Sequence, residues 1–244
     1  MVPSLNQPFV EAIQKATALP VRRILHTHHH IDHIGGDSFS PDSEIMVHQA
    51  ARDRILRSGL LKPVFARFMP CFAAEFGKVE IRPPTLTLDH DLTFYLGDLE
   101  VRVIALGPAH TTGDAGVYLP KEKILFSGDI AFFYVSPLAH EGTLKGWVAA
   151  GDRIFQKDVE TIVPGHGPIG TKADLKWVRE YLLQIQEEGG KLLDAGHGPL
   201  EAGKRVDLGP SGNGGSGRGS WSMSTDGTWS GKISWMLPWI SAST

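Results

Sequence analysis

The sequence predicts an α/β domain with a large antiparallel component. Apolar residues alternate in hairpin order between residues 85 and 129, and strand and helix patterns then alternate from 144 to 193. The length, 244 residues with 41% hydrophobic content, supplies one sizeable core and is short for two comfortable domains.

Each element has its own signal. QPFVEAIQKATA (7–18) places Phe9, Val10, Ile13 and Ala16 at helical spacing. VRRILHTH (21–28) is strand-like and runs straight into HTHHHIDHIGG (26–36), so that cluster belongs to the loop leaving a strand. SEIMVHQAARDRILRS (43–58) reads as a short strand followed by a helix. In GLLKPVFARFMPCFAAEFG (59–77), Phe65, Phe68, Met69, Phe72 and Phe76 keep helical spacing across breaks at Pro63 and Pro70. This stretch is expected in the core, with a pocket wall or a homodimer surface as the alternatives. Gly97-Asp98 marks one hairpin, and Pro120 to Lys123 turns a second within AGVYLPKEKILFSGD (115–129). LKGWVAAGDRIFQ (144–156) is helix-like, and VETIVPGHG (159–167) is a strand ending in glycine. The most strongly helical segment is 171–193, with Leu175, Val178, Leu182 and Ile185 on one stripe.

Composition excludes several function classes. The formal charge is −3 without a long basic run, which argues against nucleic acid as a partner. No stretch approaches the roughly 18 consecutive apolar residues of a membrane span. MVPSLNQPFV lacks the pattern of a signal peptide, so a cytoplasmic location is expected. Cys71 is the single cysteine, which excludes an intrachain disulfide and a cysteine zinc cage, and an inert buried thiol is expected.

Any metal must therefore be held by histidine and carboxylate, and the opening cluster is arranged for that. His28, His30, Asp32 and His33 form H-x-H-x-D-H, with His28 and His30 directed at one metal and Asp32 and His33 at a neighbouring one. Imidazole and carboxylate suit Zn²⁺, Mn²⁺ or Fe²⁺. Gly35-Gly36 is expected to permit a sharp turn into a following helix. Four donors do not complete two sites, and three more stand beside glycines at the ends of apolar runs: His110 in GPAHTTGD, Asp129 in LFSGD and His166 in IVPGHG. His26 and His29 lie off the pattern, His48, His90, His140 and His197 are expected at the surface or in caps, and Asp114 is expected to cap its loop. AGHGP around His197 mimics PGHGP but follows a helix, so His166 is the chosen donor.

These motifs, in this order, resemble the metallo-β-lactamase fold superfamily of metallohydrolases over about residues 5–200. LPVRRILHTHHHIDHIGG, GPAHTTGD and PGHGP are most similar to its glyoxalase II-like and lactonase-like branch. The resemblance implies an αββα sandwich. It also implies two divalent metal ions, zinc before manganese or iron, with His28, His30 and His110 at the first, Asp32, His33 and His166 at the second, and Asp129 bridging. The implied activity is hydrolysis of an ester-like bond in a small-molecule substrate by a metal-bridging hydroxide, with Asp32 and Asp129 as the carboxylates closest to the chemistry. Lactone or thioester comes first, phosphoester or β-lactam next, since an aspartate at 129 fits the non-β-lactamase branches better. A mononuclear iron persulfide dioxygenase and an inactive metal-binding scaffold are the alternatives. Tyr134 and His140 stand where some members place a substrate-orienting side chain.

Two departures accompany the resemblance. The resemblance implies paired strands before the helix at 7–18, and the sandwich is expected to lack that N-terminal hairpin, because MVPSLNQPF carries no strand pattern. The organisation is read as a hydrolase domain over 1–203 and a Gly/Ser/Trp-rich tail over 204–244 that holds four of the six tryptophans. The tail's bias is expected of a reading frame shifted near Gly209–Gly214, or of a disordered native segment.

Overall fold

Val103 and Ile104, adjacent in one strand, are both fully buried, and they belong to different cores. Successive strand residues point to opposite faces, so this strand is covered on both sides. That relationship organises the molecule. The computed structural model describes residues 2–58, 62–135, 137, 139, 141–208, 221–223 and 229–231.

The chain begins with α1 (Pro3–Ala16), β1 (Arg23–Leu25) and the single-turn α2 (Ile31–Ile34). β2 (Glu44–His48), α3 (Gln49–Ser58), α4 (Lys62–Phe68), α5 (Ala73–Phe76) and β3 (Leu86–Leu88) follow. β1, β2 and β3 form a parallel three-stranded sheet with β2 in the middle. Ile45, Met46 and Val47 of β2 are all buried, the continuous apolar run of a strand packed on both faces.

The second sheet contains β4 (Leu92–Leu96), β5 (Leu99–Ala105), β6 (Ala115–Leu119), β7 (Ile124–Phe132) and β8 (Thr161–His166) in that order. The first four strands run antiparallel, while β8 is parallel to β7. The expected hairpins turn at Gly97 and at residues 120–123, with left-handed backbone at Gly97 (φ +59). α6 (Leu144–Phe155) connects β7 to β8. α7 (Lys172–Asp194) opens with a capping box between Thr171 and Asp174. α8 (Pro199–Arg205) and the antiparallel pair β9 (Trp221–Met223) and β10 (Trp229–Gly231) come last.

Met46 and Leu88 from the first sheet meet Val103 and Ala115 from the second, forming the layer between the sheets. On the far face of the second sheet, Ile104, Leu125 and Ile162 pack against Trp147 and Ile154 of α6 and Leu175, Val178 and Leu182 of α7. A third cluster joins Ile31 and Ile34 of α2 to Ile55, Phe65, Phe76 and Val79. Helices therefore cover both faces of paired sheets, the expected αββα sandwich, and burial of each large aliphatic residue contributes about 1.5–3 kcal/mol. Most of the frameshift expectation falls on 209–220, 224–228 and 232–244, outside the described residues.

Several local expectations change. The first strand spans only Arg23–Leu25, with one further backbone bond from His26 N to Met46 O beyond it. The helix near Gly35-Gly36 precedes the glycines, and only a 3-10 turn, Asp37–Phe39, follows. Gly36 serves close packing, since a Cβ there would lie 2.5 Å from the Asn6 side chain of α1. Phe65 and Phe76 are buried as core, but Cys71 is exposed. The turn Pro70–Phe72 directs Phe72 toward the core and leaves Cys71 outward, against the expected buried thiol. No helix among the described residues is long and apolar enough to cross a membrane.

Candidate metal site

All seven donors selected from the sequence converge at one edge of the sandwich. His28 and His30 leave the end of β1, and Asp32 and His33 sit on α2. His110 lies on the loop after β5, and His166 is the last residue of β8. Asp129 differs from expectation: it lies inside β7, at an irregularity in its pairing with β8, and not at a strand end. Gly128 makes that kink with left-handed backbone (φ +52), and a Cβ there would fall 2.5 Å from Thr27. The kink turns the Asp129 carboxylate out of the ladder and lets the ligand loop approach.

The donors form two groups. In the inner group, His28 Nε2 and His110 Nε2 each lie 3.1 Å from His30 Nδ1, and His110 Nε2 lies 3.1 Å from Asp129 Oδ2. In the outer group, Asp32 Oδ2 is 3.2 Å from both His33 Nε2 and His166 Nε2. Asp129 reaches both groups, with Oδ1 3.2 Å from His33 Nε2 and Oδ2 3.6 Å from His166 Nε2. The side chains of His28, His110 and Asp129 are at most 3% exposed, whereas His166 is 40% exposed, so the site opens on its outer side.

Charge is divided along the same line. Burial, reinforced by neighbouring imidazoles, pushes His28 well below its ordinary value and His30 down to about 3, so both rings are neutral. Burial also opposes the charged forms in the outer group. There the charges and hydrogen bonds of Asp129 and Asp32 win, raising His33 well above its ordinary value, and the same carboxylates raise His166 to about 9. Burial would raise Asp32 and Asp129 too, but their histidine partners hold both well below the usual carboxylate range.

Neighbouring residues fix the donors. Asp114 caps the His110 loop as expected, accepting from Thr111 N (2.7 Å), Thr111 Oγ1 (2.8 Å) and Ala109 N (3.2 Å). Trp147 presents an edge to His110, with ring centroids 4.8 Å apart, and Phe132 stacks on His166 at 4.9 Å. His26 is 3.0 Å from Asp37 Oδ2, away from the donors. His29 is buried against Glu141, a residue without a sequence signal of its own. Hydrogen bonding from His29, opposed by burial and aided by Arg54, holds Glu141 at about 2. His48 caps α3 through Ala50 N, His90 is exposed, and His197 lies 3.4 Å from Glu201. The Tyr134 hydroxyl donates to Asp174 (2.7 Å) at the start of α7, and His140 lies outside the described residues.

The set fits borderline divalent cations. Three imidazole nitrogens converge within hydrogen-bond distance, two of them on rings held neutral, beside a fully ionised carboxylate. Asp32 Oδ1 is buried without a hydrogen-bond partner among the described residues. The model of the Metallo-beta-lactamase superfamily matches residues 4–166. The chain belongs to that superfamily.

Among relatives, the chain is 30% identical over 153 residues to the 2,4-dinitroanisole O-demethylase subunit alpha of Nocardioides sp. (strain JS1661), covering 60% of this chain and 40% of that one. It is 27% identical over 172 residues to the acyl-coenzyme A thioesterase MBLAC2 of Homo sapiens, covering 64% and 59%. The chain thus spans about half the length of these superfamily relatives. Among solved structures, a metallo-beta-lactamase from Pontibacter korlensis matches with TM-score 0.60 and 23% identity, over 72% of this chain and 76% of that one. That likeness shows the fold.

Proposed function

We propose that this superfamily member is a hydrolase with two divalent cations, zinc before manganese or iron, that cleaves an ester-like bond in a small molecule. Thioester or lactone substrates come first, phosphoester or β-lactam next. The observation that carries the reading is the Asp129 carboxylate, within 3.6 Å of donors in both groups. His28, His30 and His110 would hold one cation, Asp32, His33 and His166 the other, and Asp129 would join them. When bound, such a pair supplies an acidified water as nucleophile and a Lewis acid for the substrate oxygen.

The chain's own residues do the remaining work. The exposed face of His166 sets the side from which water and substrate arrive, because the inner group is sealed. Asp32 Oδ2 lies beside His33 and His166, which leaves the buried Oδ1 to accept a hydrogen bond from the attacking water. Phe132 and Trp147 fix the planes of His166 and His110 and exclude water behind them. The relative named as an acyl-coenzyme A thioesterase supports placing thioesters among the first substrates.

The test is a panel of thioesters, lactones, phosphodiesters, phosphotriesters, β-lactams and persulfides on metal-quantified protein. Turnover of a thioester or lactone with two zinc ions per chain is expected. One iron and no zinc per chain, with persulfide oxidation, sinks the hydrolase reading. Metal binding without turnover of any substrate favours an inactive scaffold.

A further inference from the structure

The two histidines off the ligand pattern both end on a carboxylate, His26 on buried Asp37 and His29 on half-buried Glu141, and the Glu141 segment lies against two of the loops that carry donors. His29 lies between His28 and His30 in the chain, is 1% exposed, and places Nε2 3.1 Å from Glu141 Oε2. Neither ring nitrogen of His29 has a partner of hydrogen-bond geometry among the described residues, so the 3.1 Å approach of Nε2 to Glu141 Oε2 is the polar contact that tethers the ring. The other oxygen of Glu141 accepts from Arg54 Nη2 of α3 at 2.6 Å. One ring nitrogen each of His29 and His30 and a Glu141 oxygen lie within 4.8 Å of one another.

The next residue grips the second loop. Gly142 has left-handed backbone (φ +59) and passes so close to the peptide carrying His110 that a Cβ would lie 1.9 Å from the Ala109 oxygen. Thr143 N then donates to that same oxygen at 3.0 Å. Three consecutive residues thus touch the His28–His30 loop through a side chain and the His110 loop through the backbone, while Arg54 anchors them to α3.

We infer that Glu141 is a positioning residue that sets the spacing of the His28–His30 loop against the His110 loop, and so the geometry of the inner donors. Without its carboxylate, a buried imidazole joined covalently to two donors loses its tether and takes the loop with it. An ion pair that only added stability would leave the donors where they are. The inference rests on the reading of His28, His30 and His110 as ligands of one cation.

The test uses Co²⁺ as the probe in the full chain, comparing wild type with Glu141→Ala, Glu141→Gln, His29→Ala and the double variant Glu141→Ala/His29→Ala. The readouts are the visible absorption of bound Co²⁺, its affinity by chelator competition, and circular dichroism for folding. Folded Glu141→Ala is expected to shift the Co²⁺ bands and weaken binding by about 10–100-fold. His29→Ala is expected to match it, with the double variant within about twofold of the weaker single because both remove one link. Wild-type bands and affinity in folded Glu141→Ala overturn the inference even where the melting temperature falls. If Glu141→Ala does not fold, Glu141→Gln decides by the same criteria. A wild-type chain that binds no Co²⁺ fails earlier, overturning the ligand reading and this inference with it. Wild-type binding with an unaffected Glu141→Ala overturns this inference alone.

Discussion

Gly165 leaves the space in which the Asp129 carboxylate sits: a Cβ at 165 would lie 1.9 Å from Oδ1 of Asp129. The two residues belong to neighbouring strands, so the close packing of β7 and β8 holds the carboxylate between the donor groups. Gly165→Ala is therefore expected to displace Asp129 at an overpacking cost of about 1–3 kcal/mol. Metal stoichiometry should fall together with the melting temperature. Full metal content in this variant would show that the carboxylate has room to move without consequence.

His110 and His29 separate a donor from a support. His110→Ala removes a nitrogen 3.1 Å from both His30 Nδ1 and Asp129 Oδ2, and is expected to lose metal at the inner group and nearly all turnover. His29→Ala should bind metal more weakly while retaining occupancy at saturating zinc. Elemental analysis beside initial rates checks this, and equal losses in both variants would contradict the ligand assignment.

Asp114 makes a stability prediction at the same loop. Asp114→Ala strips the acceptor from Thr111 N, Thr111 Oγ1 and Ala109 N, all buried, and is expected to cost about 2–4 kcal/mol. Asp114→Asn should restore only part, because its amide nitrogen offers a donor where donors already point. Urea unfolding of the metal-free proteins measures it, and a loss below about 0.5 kcal/mol would remove Asp114 as the loop's anchor.

Metal uptake should depend on pH with a definite sign. His33 and His166 are raised in the metal-free protein, His166 to about 9, so both carry protons at neutral pH. A cation that takes their nitrogens must displace those protons. Affinity at the outer group is expected to rise with pH until about 9, and binding at neutral pH to release protons. Calorimetry in buffers of differing ionisation enthalpy reads the release directly. A pH-independent affinity between neutrality and that value would contradict the assignment of His166.

The candidate donors that the structure brings together were legible because each lies in a short local signal. His28 to His33 share one short segment, and His110 and His166 stand beside glycine where apolar runs end, so residue type and position marked them as candidates. Hairpin turns and the stripe of Leu175, Val178 and Leu182 were readable for the same reason, since period and turn chemistry are properties of neighbouring residues.

What the tertiary structure alone decided is every relationship between distant residues. It placed Asp129 at a kink inside β7, because the pairing of β7 with β8 depends on a strand more than thirty residues further on. It turned His29 from a bystander into one end of a brace, since Glu141 reaches it across 112 positions, and it left Cys71 outside by choosing Phe72 for the core. Local pattern names which side chains have the chemistry. Which of them meet, and which protons they hold, follows only once packing brings the loops together and excludes water from between them.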